Sequence, residues 1–179
     1  MHIVVLGAGY SGLVAAKLAA RRTDSSVTLV NARETFVERV RMHQLASGQQ
    51  LPERPIKDLL EGTGVEFVAD RVQRIDAANR TVVLSDRELR YDVLIYALGS
   101  RADLNSVPGA NEYAYTVADV DHAGQLRERL RSSGTIAVVG GNIIIAVVGS
   151  NKITVVGSNI ITVVGSNIII MSASQSFSL

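Results

Sequence analysis

The chain has 179 residues, enough for one domain or one and a fraction, and long enough to bury a real core. Its formal net charge is +1 with no basic run, which argues against nucleic acid or an anionic membrane surface as a partner. It has no cysteine, which excludes disulfides, a CxxC redox pair and thiolate metal sites, and its three histidines (His2, His43, His122) are too scattered for a zinc site.

His2 to Leu6 predicts a short apolar strand. Gly7-Ala8-Gly9-Tyr10-Ser11-Gly12 follows at once, and Leu13 to Arg22 predicts a helix with Leu13, Val14, Leu18 and Ala19 at helical spacing. A GxGxxG alone is a weak signal, but one pinned between a strand and a helix points to dinucleotide binding. Gly7 permits the tight turn, Gly9 lets the backbone approach a pyrophosphate, and Gly12 lets helix and strand pack closely. The helix start offers free N–H groups and the positive end of its dipole to the phosphates.

Val27 to Val30 predicts the second strand, and a long polar connection follows, with a short helix around Val40 to Ala46. Pro55 marks the start of a further helix whose apolar face is Ile56, Leu59 and Leu60, and Gly62-Thr63-Gly64 ends it. Val65 to Val68 predicts the third strand. Val72 to Ile75 and Thr81 to Leu84 predict meander strands joined by an Ala-Ala-Asn-Arg turn, part of a three-strand excursion. Asp92 to Leu98 is apolar enough to suggest a buried strand in a parallel sheet covered on both faces. A loop at 99–109, a helix from Asp121 to Arg131 and a strand from Thr135 to Val139 complete the regular part. The expected fold class is α/β: a doubly wound, Rossmann-type sheet with an inserted β-meander, followed by an atypical β-prone repeat tail.

The composition breaks near Thr135. Residues 135–179 hold a single charged side chain, Lys152, and they repeat. Ile-Ala-Val-Val-Gly-Ser-Asn-Lys at 145–152 is followed by Ile-Thr-Val-Val-Gly-Ser-Asn-Ile at 153–160 and again at 161–168. Each unit has β-favouring residues and then a Gly-Ser-Asn turn signal, so a tandem of short strands is the expectation. A transmembrane helix over 153–173 is the rival, disfavoured because Gly-Ser-Asn interrupts every repeat. Uncharged β-prone segments without proline tend to self-associate. No signal sequence is expected, because the first strand begins at residue 2 without a basic segment before it, and the expected location is cytoplasmic.

Four segments carry a resemblance: Val-Val-Leu-Gly-Ala-Gly-Tyr-Ser-Gly at 4–12, Val-Thr-Leu-Val-Asn at 27–31, Tyr-Asp-Val-Leu-Ile-Tyr-Ala-Leu-Gly-Ser at 91–100, and Thr-Ile-Ala-Val-Val-Gly-Gly at 135–141. Residues 1–141 resemble the flavoprotein pyridine-nucleotide oxidoreductases, particularly the branch similar to type II NADH dehydrogenases and apoptosis-inducing factor. The third segment is the sharpest; it resembles the family's strand and turn beside the FAD phosphates, with Leu98 in place of the usual threonine. The fourth resembles the opening of a second Rossmann unit for NAD(P)H.

The resemblance implies an FAD-dependent NAD(P)H oxidoreductase. Hydride would pass from a nicotinamide to flavin N5, and electrons onward to a quinone or another small acceptor. It implies FAD contacts at Gly7, Ala8, Gly9, Tyr10, Ser11 and Gly12, at Asn31 and Ala32, at Arg39 on the pyrophosphate, at Val72 near the adenine, and at Ala97, Leu98 and Gly99. Asn31 stands where an acidic residue normally holds the ribose hydroxyls; it can donate and accept there, without the charge. Arg33 reads either as a 2′-phosphate contact or as a solvated loop residue, and His43 either approaches the isoalloxazine or is simply packed. No side chain is assigned a catalytic role and no metal is expected, since the cofactor carries the chemistry.

The ending departs from the family. A relative would follow Gly140-Gly141 with a third glycine and a long helix, whereas Asn142-Ile143-Ile144-Ile145 is a poor helix former. A truncated enzyme is therefore expected, with an incomplete FAD-binding domain over 1–134 and, over 135–179, the start of an NAD(P)-binding unit replaced by the repeat. The alternative is a non-catalytic dinucleotide-binding fragment with a self-associating β-repeat tail.

Overall fold

The computed structural model describes residues 1–100, 102–105 and 110–130, together with the backbone of strand residues 135–139, 144–148, 154–156, 163–164 and 167–168. In chain order the elements are β1 (His2–Leu6), α1 (Tyr10–Arg22), β2 (Ser26–Asn31), α2 (Met42–Ala46), α3 (Ile56–Leu60), β3 (Val65–Ala69), β4 (Arg74–Asp76), β5 (Thr81–Val83), β6 (Glu88–Arg90) and β7 (Val93–Tyr96). They continue with α4 (Ala110–Tyr113), β8 (Ala114–Thr116), α5 (Val120–Arg129), β9 (Thr135–Val139), β10 (Ile144–Val148) and β11 (Thr154–Val156). Two short strands, Val163–Val164 and Asn167–Ile168, pair antiparallel. Contacts divide the chain into two units, Met1–Val37 with Pro52–Ser100, and Glu38–Leu51 with Arg101–Leu179. This packing boundary does not coincide with the compositional break near residue 134, because residue usage and contact density are different properties.

In the first unit four strands form a parallel sheet in the order β3-β2-β1-β7. The residues of β1 alternate between two apolar layers, as the two-residue period of a strand requires. Ile3 and Val5 pack with Leu13 and Ala16 of α1, Leu29 of β2, and Ile56 and Leu60 of α3. Val4 and Leu6 pack on the opposite face with Val30, Val68, Val82 and Leu84, beneath the antiparallel meander β4-β5-β6. Each fully buried aliphatic side chain of these layers contributes about 1.5–3 kcal/mol.

A polar thread crosses the meander-side layer. Thr28, buried on β2, donates its hydroxyl to Glu66 Oε2 at 3.2 Å and lies 2.8 Å from His2 Nε2. His2 Nδ1 lies 2.7 Å from the Arg90 carbonyl, and the His2 backbone N–H donates to Asp92 Oδ2 at 2.6 Å. The bonds at Thr28 satisfy a hydroxyl that the apolar layer would otherwise leave unpaired.

Two carboxylates pin the meander. Asp70, just after β3, accepts from the Arg71 N–H at 2.6 Å and the Ser85 N–H at 3.1 Å. Asp76 accepts from the Asn79 N–H at 3.0 Å and so closes the β4–β5 turn. Both carboxyls are held below the ordinary value of 3.8, Asp70 chiefly by the Ser85 hydroxyl and Asp76 chiefly by the Asn79 backbone N–H. A lowered folded-state pKa means the contribution is fully present above 3.8 and is lost as the pH falls below it. Asp70→Asn is therefore expected to be less stable than the parent at neutral pH. The gap should shrink as the pH drops below the ordinary carboxylate value in a series of denaturant titrations. A gap that stays constant with pH would show that Asp70 acts by shape alone.

Several sequence expectations shift. Helix α1 begins at Tyr10 and not at Leu13, so the last two residues before the third glycine, and Gly12 itself, are already helical. The meander strands are shorter than read: β4 starts at Arg74 and not at Val72, and β5 ends at Val83. The Asp92 to Leu98 strand is not buried on both faces. Among the described residues its regular part, β7, pairs with β1 alone and ends the sheet, and Val93 is 40% and Tyr96 67% exposed.

In the second unit α2 lies against α5. Helix α5 begins one residue earlier than expected, because the Asp119 side chain accepts the His122 N–H at 2.9 Å and caps it. Helix α4 and strand β8, four and three residues long, fall where no element was expected. Strand β9 matches its expected bounds. It pairs antiparallel with β10 and parallel with β11, and β10 pairs in turn with β8. Gly140, Gly141, the Gly-Ser pairs of the three repeats, Arg101 and residues 106–109 lie outside the described residues. Among the described residues no helix is long and apolar enough to cross a membrane.

Candidate functional site

The glycine turn sits where β1 delivers the chain to α1, beside the ends of β2 and β7. Gly7 has φ +95°, which side chains other than glycine rarely adopt. A Cβ there would also collide with the backbone carbonyl of Ala97 and lie 3.0 Å from Leu98 Cα. Gly12 faces back across the turn: a Cβ would strike the Gly7 carbonyl and lie 3.3 Å from Ala97 Cβ. Gly7, Gly12, Ala97 and Leu98 therefore form one closely packed backbone crossing, and Gly99 follows with φ +74°.

Gly9 is different. It is the N-cap of α1 at φ −77°, ψ −172°, an extended conformation open to any residue, and among the described residues a Cβ there would meet nothing within 4 Å. Neither backbone strain nor a neighbour requires glycine at this position. The space in front of it is open, and the unpaired N–H groups of the first helical turn point out of the helix end there. No side chain caps this end and no acidic residue lies in the first turn, so the positive end of the dipole is uncompensated. The first hydrogen bond within the helix runs from the Leu13 N–H to the Gly9 carbonyl at 3.0 Å. Tyr10, 47% exposed, stands edge-on to Phe36 with ring centroids 5.0 Å apart.

The turn is tied to β2 by two successive donors. The Gly7 N–H donates to the Val30 carbonyl at 2.7 Å, and the Ala8 N–H donates to Asn31 Oδ1 at 3.0 Å. Asn31 Nδ2 in turn donates to the Arg33 carbonyl at 2.8 Å. The orienting part of Val30 and the inward engagement of Asn31 were not foreseen from the sequence. The parallel register that sets Leu6 beside Val30 is the signal that could have located the first of them.

The structure thus brings together Gly7 to Gly12, Asn31, Ala97, Leu98 and Gly99. Ala32 and Arg33 are exposed on the segment that leaves β2. Val72 precedes β4 and packs against the meander-side layer. Arg39 and His43 belong to the second unit, where Arg39 Nε donates to the Ala118 carbonyl at 2.9 Å and His43 is half-buried in α2. Among the described residues no group of three or more acidic or histidine side chains could hold a metal ion.

A parallel sheet whose first strand leads through a packed glycine crossing into a helix is an α/β structure of the Rossmann type. The sequence profile of the family described as pyridine nucleotide-disulphide oxidoreductase matches residues 1–177, and the chain belongs to that family. Its members are FAD-dependent NAD(P)H oxidoreductases. The chain is 30% identical over 158 residues to an NADH dehydrogenase-like protein of Mycobacterium tuberculosis, covering 79% of this chain and 40% of that protein. It is 31% identical over 172 residues to the alternative NAD(P)H-ubiquinone oxidoreductase C1 of Arabidopsis thaliana, covering 83% and 33%. The fold superimposes on the sulfide:quinone oxidoreductase of Aquifex aeolicus with a TM-score of 0.67 at 25% identity, covering 76% of this chain and 34% of the other. The chain spans between a third and two-fifths of the length of these curated relatives.

Proposed function

We propose that the first unit is the FAD-holding part of an NAD(P)H oxidoreductase similar to NADH dehydrogenases, with a quinone or another small molecule as electron acceptor. The observation that carries this reading is the contrast within the glycine turn: Gly7 and Gly12 are closed by packing, while Gly9 opens onto free space before the first turn of α1. The residues present suit the ADP half of FAD. Gly9 to Gly12 would offer N–H groups to the pyrophosphate, and Ala97, Leu98 and Gly99 would lie alongside. The nearby end of β2, with Asn31 and Ala32, would border the ribose, and Val72 the adenine.

When bound, the flavin supplies the redox chemistry, taking hydride from a reduced nicotinamide and passing electrons to the acceptor. The chain's own part is to bind, orient and compensate charge. With no cysteine, this chain has no thiol of its own to exchange with a disulfide.

A second reading is a nucleotide-binding unit that turns nothing over and associates through its β-prone repeats. It is favoured by β10: Ile144–Val148 is a strand where a nicotinamide unit would use a helix N-terminus for the second pyrophosphate. A flavin absorbance spectrum of the purified chain, taken after adding FAD and desalting, tests the first reading. Retained flavin that NADH then reduces, with turnover on a quinone analogue, is the expected result. Flavin retained but never reduced would favour the second reading, and no retained flavin would overturn the placement of FAD in this chain.

A further inference from the structure

We propose that Asn31 is a positioning residue, acting on a bound nucleotide by setting the glycine turn through Ala8 and not by gripping the ribose hydroxyls. The inference deepens the FAD reading above and rests on it for its binding arm. Asn31 closes β2, is half-buried, and uses both ends of its carboxamide inward: Oδ1 accepts the Ala8 N–H at 3.0 Å, and Nδ2 donates to the Arg33 carbonyl at 2.8 Å.

The preceding donor is fixed in the same way. The Gly7 N–H reaches the Val30 carbonyl at 2.7 Å, so two consecutive N–H groups of the turn are drawn onto two consecutive residues of β2. With those two peptide planes set, the next N–H groups are left to the helix end at Gly9. The lateral bond from Ala8 thereby decides which way the phosphate-facing donors point.

The choice of side chain follows from its hydrogen-bonding inventory. A carboxylate accepts and cannot donate, so an acid here would hold Ala8 and leave the Arg33 carbonyl without its donor. An amide serves both sides of the β2 exit at once. The engaged oxygen and nitrogen leave the ribose only their second lone pair and second proton, in directions fixed by the two bonds already made.

The test uses the full chain with Asn31→Leu and Asn31→Asp, and reads two quantities. The first is amide hydrogen exchange at Ala8 and Gly7 without ligand. The second is the affinity for ADP and for 2′,3′-dideoxy-ADP. Leucine should speed Ala8 exchange by about tenfold or more while Gly7, held by Val30, is unchanged. It should weaken both nucleotides by the same factor, about tenfold, as loss of one orienting hydrogen bond implies. Aspartate should restore the protection of Ala8 and most of the ADP affinity.

The proposal is overturned if Ala8 exchange is the same in Asn31→Leu and the parent. It is also overturned if the parent prefers ADP over the dideoxy compound and leucine erases that preference, since Asn31 would then be reading the ribose. If the parent binds neither nucleotide the FAD reading fails, and the exchange of Ala8 decides the turn-setting role alone.

Discussion

Gly12→Ala should cost about 3 kcal/mol or more of stability. The added Cβ would strike the Gly7 carbonyl and crowd Ala97 Cβ at 3.3 Å. The obstacle is backbone, so no rotamer change relieves it; α1 must move off β1 or the crossing must open. Either movement also disturbs Ile3, Val5, Leu13 and Ala16, which pack in one apolar layer between helix and sheet. Gly124→Ala is the control. Gly124 lies inside α5, a Cβ there meets nothing within 4 Å, and alanine should raise stability by about 0.5–1 kcal/mol through helix propensity. In thermal unfolding Gly12→Ala should melt about 6–12 °C below the parent, given the ordinary entropy of unfolding for a chain of this size. Equal melting temperatures for Gly12→Ala and the parent would mean that the helix is not held against the strand at this crossing.

Much of the first unit was legible because its signals are local. An apolar run, a glycine motif and a second apolar run are enough to read β1, the turn and β2, and the observed bounds differ by a residue at each end of β2. Helix α1 was read three residues short, because the whole glycine motif was read as turn while Tyr10, Ser11 and Gly12 are already helical. What the sequence hid was relational. Val93, Leu94, Ile95 and Tyr96 are as apolar as a central strand, yet among the described residues β7 pairs with β1 alone, and strand position within a sheet is a long-range property that composition does not carry. The same holds for the site. The glycines announced themselves by spacing, but the inward use of the Asn31 amide depends on where β2 ends beside the turn. Arg39 and His43 follow Phe36 closely in the sequence, yet they pack in a different unit from it.

Gly9→Ala should leave the fold intact and cost nucleotide affinity, reversing the pattern expected at Gly12. Position 9 has an ordinary extended conformation and no neighbour within 4 Å of a Cβ, so alanine fits without strain. The smaller freedom of the unfolded chain favours alanine by about 0.4–1 kcal/mol, and the poorer N-cap takes back a comparable amount, so stability should change little. Only a ligand would feel the methyl group, because it projects into the space before the first turn of α1 where a pyrophosphate would meet the N–H groups. Displacing the phosphates by about 1 Å should weaken FAD or ADP by about 100-fold, near 2.7 kcal/mol. The decisive comparison is unfolding and nucleotide titration on the same preparations of parent, Gly9→Ala and Gly12→Ala. Parent-like stability with lost affinity at position 9, against lost stability at position 12, would separate the glycine that faces the ligand from the glycine that faces the fold. If Gly9→Ala instead binds FAD as tightly as the parent, the open space in front of α1 is not where the cofactor lies.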